Sequence, residues 1–90
     1  MNQKIEQAKK VCLLERRTME LENKKQQIWA DLWLNTNFEE RLEKKRATEE
    51  DKKSFIRISD EYMNIVSELA KTKALKNYEQ NILQIMMTDE

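Results

Sequence analysis

Apolar residues recur along the first third of the chain at intervals of three and four. The cleanest series is Val11, Leu14, Thr18, Leu21, Lys25, Ile28, Leu32 and Asn35, which alternates between the a and d positions of a heptad. That spacing predicts an amphipathic helix with one buried seam. In the same register Glu15 and Glu22 hold e positions, while Lys10, Arg17 and Lys24 hold g positions. A parallel partner of the same sequence would bring Lys10 to Glu15 and Arg17 to Glu22, whereas an antiparallel copy of this segment would face like charges. Exposed ion pairs contribute only about 0–1 kcal/mol each, so solvated flanks are the alternative reading of these charges.

A second stripe begins at Phe55 and runs through Ile58, Tyr62, Ile65 and Leu69, widened by Met63 and Val66. Beyond Ala70 to Ala74 the apolar series is better followed through Leu75, Tyr78, Ile82 and Ile85, one residue out of the earlier register. Such a slip predicts local overwinding or an apolar face turned toward a second neighbour. Ile82, Leu83, Ile85, Met86 and Met87 make the end of this helix apolar nearly all round, which predicts burial on more than one side.

Between the stripes, Glu39 to Lys53 is almost entirely charged, with Phe38 and Leu42 as its only large apolar neighbours, and reads as a solvated tip rather than a core. Glu40 with Lys44 and Glu49 with Lys53 stand four apart in the order that supports helix. Two breaks suggest themselves. Thr36 with Glu39 has capping-box spacing after the poor helix residues Asn35 to Asn37, and Thr48 precedes the acidic run Glu49, Glu50, Asp51. Reversal near Thr36 would set the apolar segment around Trp29 and Leu32 against charged Glu40 and Glu43. Reversal near Ala47 and Thr48 instead opposes residues whose numbers sum to about 95, pairing Trp33 with Tyr62, Trp29 with Val66, Leu14 with Ile82 and Val11 with Ile85. The expectation is therefore an all-α fold in a single domain, a long helical hairpin of coiled-coil type completed by oligomerisation. Its helices should span about 2–46, with a kink at 35–37, and about 49–88, with the turn at about 47–48. A swapped antiparallel pair of uninterrupted helices makes the same contacts, and a parallel coiled coil or hetero-bundle is the further alternative. In a two-helix hairpin Leu13, Met19, Phe55, Met63 and Met87 would lie outside and stay exposed unless another chain covered them.

Composition strengthens the helical reading. The 90 residues include no glycine, proline or histidine, where average usage would supply about eleven of the first two. Hairpins and tight turns lean on those residues, so a sheet fold is excluded. Charged residues make up 38% of the chain, but 17 basic and 17 acidic side chains cancel. No net field therefore draws it to nucleic acid or an anionic membrane. The longest apolar run is four residues, Val11 to Leu14, far short of the about 20 that a membrane helix needs, and no hydrophobic signal core follows the start. Cys12 is the only cysteine, which excludes an intrachain disulfide and fits an intracellular location, cytoplasmic or nuclear.

Candidate chemistry is sparse. With no histidine, no glycine-rich phosphate loop and no Cys/His pair, neither catalysis nor a zinc site is expected, and no cofactor or small-molecule substrate is implied. Cys12 near Lys9 and Arg16 reads as a small half-buried hydrophobe rather than an activated thiol. Carboxylates at Glu39, Glu40 and Glu43, or at Glu49 to Asp51, are interleaved with lysine and arginine and read as solvated helix rather than a cation site. The basic pairs Lys9/Lys10, Arg16/Arg17 and Lys24/Lys25 suggest a stripe that could track phosphates, opposed by Glu15, Glu20 and Glu22 in the same region. Trp29 and Trp33, one turn apart beside Ile28, Leu32 and Leu34, either plug the hairpin beside Tyr62 and Val66 or anchor a partner. The expected function is a non-enzymatic helical interaction or scaffold subunit that assembles with itself or another protein. Its expected interface is Trp29, Trp33, Leu32, Tyr62, Val66, Ile82, Ile85 and Met86. A small nucleic-acid-binding helical protein using the six basic residues is the alternative.

Overall fold

The computed structural model describes residues 2–88. These form four helices, α1 (Gln3–Asn35), α2 (Phe38–Arg41), α3 (Glu49–Ile58) and α4 (Asp60–Thr88), with no strand among the described residues. The fold is an all-α helical hairpin in which α1 packs against α4. The described residues group into two compact units, 2–22 with 68–88 and 23–67.

The seam predicted on α1 is the seam that is buried. Val11, Thr18 and Leu21 are buried, Leu14, Lys25, Ile28 and Leu32 are half-buried, and only Asn35 of the series is exposed. Gln7 extends the series by one position and is also buried. In the first unit Gln7, Val11, Thr18 and Leu21 of α1 and Leu69 of α4 are buried, with charged pairs at their flanks. Arg17 donates to the Glu68 carboxylate on one flank, and Lys73 Nζ lies 3.2 Å from Glu22 on the other. Arg17 and Glu22, which suited a parallel copy, are thus used within the chain, in the g-to-g and e-to-e pattern of an antiparallel pair.

The reversal is built differently from the expected single turn at 47–48. Helix α1 stops at Asn35 instead of continuing to about 46, because both break signals are used. Asn37, one residue beyond the expected Thr36, caps α2: its side-chain oxygen accepts from the Glu40 N–H at 3.4 Å, and its amide donates to the Glu40 carboxylate at 3.0 Å. Helix α2 then ends without glycine. Glu43 takes up the left-handed region at φ 54°, Lys44 N–H donates to Glu39 O at 2.9 Å, and Glu43 N–H donates to Glu40 O at 3.3 Å. Those two bonds are the pair that defines a Schellman close. Thr48 caps α3 as expected, in a reciprocal capping box with Asp51.

A further break was not expected. Ser59 is extended (φ −69°, ψ 142°) and separates α3 from α4, so the helix anticipated over about 49–88 is two helices. The Ser59 hydroxyl donates to Ile56 O at 2.7 Å, and its carbonyl accepts from Met63 N–H. Acidic Asp60 and Glu61 fill the first turn of α4, as the helix dipole favours. The break turns Ile58 out to solvent at 72% exposure, away from the stripe assigned to it.

The charged stretch also holds part of a core. In the second unit Phe38, Ala47 and Ile56 are buried, with Trp29, Leu32, Trp33, Leu42, Phe55 and Tyr62 packed around them. The few apolar residues of that stretch are gathered inward while its charges stay outside, so it is not simply a solvated tip. Phe55, expected outside, is half-buried for the same reason.

Candidate interaction surfaces

The register between α1 and α4 decides which apolar residues remain outside. Gln7 donates to Glu79 O at 2.8 Å and to the Glu79 carboxylate. With Arg17–Glu68 and Glu22–Lys73 in the first unit and Trp29–Tyr62 in the second, the opposed numbers centre on a sum of about 90 rather than about 95, more than one helical turn away. The inward series of α4 is accordingly one unbroken heptad run. Ile65 and Leu69 are buried, and Thr72, Lys76, Glu79, Leu83 and Met86 follow half-buried. The anticipated phase slip does not occur. Leu75, Tyr78 and Ile85 lie exposed by 49–62%, and only Ile82 of that series is half-buried. The pairings Leu14 with Ile82 and Val11 with Ile85 are replaced by a seam that admits a buried polar contact, Gln7 with Glu79.

The two tryptophans sit in the second unit as parts of its core. Trp29 meets Tyr62 edge-on, with ring centroids 5.4 Å apart, and Trp33 meets Phe38 at 6.4 Å. Phe38 in turn meets Phe55 at 5.5 Å, nearly perpendicular. Cations cover the outer ring faces: Lys52 Nζ lies 5.5 Å from the Trp33 centroid and 5.7 Å from Phe38, and Arg41 lies 5.7 Å from Phe55. Of the eight anticipated interface residues, Trp29, Leu32, Trp33 and Tyr62 therefore gather in one cluster, Val66 and Ile85 are exposed, and Ile82 and Met86 are half-buried on α4.

An open cleft of about 710 Å³ in the second unit is lined by residues that include Leu32, Phe55, Ile58, Glu40, Arg41 and Asp60. A smaller groove beside Met63 and Val66 is mostly apolar. Neither holds a nucleophile oriented by a base. Among the described residues no group of three or more His, Cys, Asp and Glu side chains converges to hold a metal ion, and no helix is long and apolar enough to cross a membrane. Cys12 is exposed. The Asp51 carboxyl is held below the usual carboxylate range, first by the Thr48 backbone N–H that donates to it at 3.0 Å, then by the Lys44 ammonium at 3.0 Å. That serves helix capping.

The six basic residues of α1 considered for phosphate contact do not share one direction. In the heptad frame Lys9 and Arg16 lie opposite the seam and Lys10, Arg17 and Lys24 on one flank, while half-buried Lys25 lies in the seam itself. Arg17 is engaged by Glu68 and by Glu20 at 3.8 Å.

Sequence reasoning named Ile82 and Ile85 as interface residues but missed the exposure of Leu75 and Tyr78, because it assigned all four to the seam. The signal that could have found it is the regular spacing Ile65, Leu69, Thr72, Lys76, Glu79, Leu83, Met86, which keeps the heptad if a threonine, a lysine and a glutamate are allowed inside. Comparison with protein families, with characterised proteins and with solved structures returns no match.

Proposed function

We propose that this chain is a non-enzymatic helical interaction subunit, which assembles with itself or with another protein through helix packing. The observation that carries the reading is the balance of its apolar surface. Among the described residues seven apolar ones are buried, whereas Ile5, Leu13, Met19, Leu34, Ile58, Met63, Val66, Leu75, Tyr78, Ile85 and Met87 are all more than a third exposed. Scattered single apolar residues need no explanation, but several of these recur at helical spacing along α4, which is the mark of a face meant for another helix.

Melting the isolated chain over a hundredfold concentration range, with its mass followed by light scattering, tests this. Assembly makes the midpoint rise with concentration and the mass exceed that of one chain. A cooperative, concentration-independent melt of a monomer that exposes no dye-binding surface would overturn the proposal.

A further inference from the structure

Resting on the reading of the chain as an assembly subunit, we infer that the hairpin is a closed form that opens at Glu43, and that its partner is a second copy with which it exchanges α3 and α4. Glu43 stands at φ 54°, an uncommon conformation for a residue with a Cβ. It is held there by the bonds that Glu43 N–H and Lys44 N–H donate to Glu40 O and Glu39 O. The connector it closes contains no glycine or proline, so nothing in Phe38 to Ile58 forbids a continuous helix. When Glu43 returns to the right-handed region, α2 runs into α3 as one helix, and α3 and α4 leave their own α1. Joining the two creates opposite-sign pairs four apart at Glu40 with Lys44, Lys45 with Glu49 and Arg46 with Glu50, against like pairs at Glu39 with Glu43 and Arg41 with Lys45. The charge spacing therefore admits the open form, while the strain of the turn disfavours the closed one.

The contacts across the turn select the partner. Gln7 with Glu79, Arg17 with Glu68 and Glu22 with Lys73 in the first unit, and Trp29 with Tyr62 and Phe38 with Phe55 in the second, all join an early residue to a late one. Their numbers sum to about 85–95, so two open chains lying antiparallel about the middle of the connector set each of these residues against its usual partner in the other copy. The breaks at Asn37 and Ser59 stay as they are. Each compact unit is then rebuilt from two chains, 2–22 with the copy's 68–88 and 23–42 with the copy's 48–67. A chain of different sequence would have to supply the carboxylates for Gln7 and Arg17 and the ring for Phe38 at the same spacing, whereas a second copy supplies them all. The losses are local to the turn: the Thr48–Asp51 capping box and the bond from Ala47 N–H to Glu39. Since the seam is common to both forms, the balance rests on the backbone of the turn and on chain concentration, and a short strained hinge is what invites exchange.

Refolding the full chain from urea over about a thousandfold range of concentration, followed by sedimentation analysis, provides the test. The expected result is a monomer after dilute refolding and a dimer after concentrated refolding, with equal helicity by circular dichroism. Glu43→Gly fits the positive φ and weakens the straight helix, so it should weaken dimerisation about tenfold or more. Glu43→Val places a branched Cβ where the turn cannot take it and should strengthen dimerisation by a similar factor of about ten. To identify the exchange, Glu22→Cys and Lys73→Cys chains, both on a Cys12→Ser background, are refolded together and treated with a short bis-maleimide. The two sites are paired across the seam at partly exposed positions, so exchanged chains give a cross-link between the two different variants. A dimer without that cross-link overturns the exchange and leaves the assembly reading in place. Glu43 variants that shift dimerisation in the same direction, or not at all, overturn Glu43 as the hinge. A monomer after concentrated refolding overturns self-exchange, and the assembly reading itself then falls only if the melt is also cooperative and independent of concentration and the surface binds no dye.

Discussion

At the scale of single residues, the absence of glycine is met by a glutamate in an expensive conformation. Glu43 closes α2 at φ 54°, where an L-residue costs about 1–2 kcal/mol and glycine costs nothing sterically. Glu43→Gly removes that strain but loosens the unfolded chain, so chemical denaturation should show a net gain of about 0.5–1 kcal/mol. Thr48 has the opposite sign. Its hydroxyl accepts from the Asp51 N–H at 3.1 Å, and Thr48→Ala should cost about 1 kcal/mol by the same measurement. The partner carboxylate adds a pH dependence. Because the Asp51 pKa is lowered in the folded state, its stabilising contribution is fully present above the ordinary carboxylate value of about 3.9 and is lost as the pH falls through the lowered folded value. Acid titration should therefore show stability that does not depend on this carboxylate's titration above about pH 5 and that falls as the pH drops below about 4, and Asp51→Asn should remove that pH-dependent fall. The Thr48 cap was legible from Thr-Glu-Glu-Asp alone, since capping is local. Glu43 was not, since no sequence rule marks a glutamate for positive φ.

At the scale of elements, the seam of α1 was legible almost residue for residue and the seam of α4 was not. Helix α1 carries its apolar residues where the heptad wants them. Helix α4 carries Thr72, Lys76 and Glu79 inside and Leu75, Tyr78 and Ile85 outside, so reading apolarity as burial moved the phase by one residue. Lysine can lay its aliphatic stem along a seam and keep its ammonium in water, which makes an inward lysine tolerable. The Gln7–Glu79 contact holds the register and makes a prediction. Gln7→Ala leaves the Glu79 carboxylate without that donor and should cost about 1–3 kcal/mol in urea denaturation, while the double variant Gln7→Leu with Glu79→Leu should be at least as stable as the parent. The Ser59 break belongs to the same lesson. Ser-Asp-Glu is an N-cap followed by an acidic first turn, and its significance was hidden by the apolar run on either side.

At the scale of the molecule, the two compact units rest on different interactions. The first is a two-helix seam around Val11, Leu21 and Leu69 with ion pairs along its flanks. The second is an aromatic cluster in which Phe38 touches both Trp33 and Phe55. Phe38 is 2% exposed, so Phe38→Ala should cost about 3–5 kcal/mol, a large share of the stability of a chain this size. The near-ultraviolet circular dichroism of Trp29 and Trp33 should collapse with it, and a preserved near-ultraviolet spectrum would show that the cluster is not the core of this unit. If Trp29 and Trp33 serve assembly, they do so by shaping this cluster rather than by offering free rings.

What the amino-acid sequence by itself determined was helix, the Thr48 cap and the inward face of α1, since each is encoded within a few residues by spacing, charge order and the lack of glycine and proline. What only the tertiary structure decided was the offset between α1 and α4, and with it which stripe of α4 faces out. The offset depends on how much chain the reversal consumes, and α2, the Schellman close at Glu43, the Thr48 cap and the Ser59 break consume it in steps that no local pattern adds up. An error of about five residues in that sum is more than a full helical turn. It turned what read as an inward apolar series into the outward face on which assembly through α4 would depend.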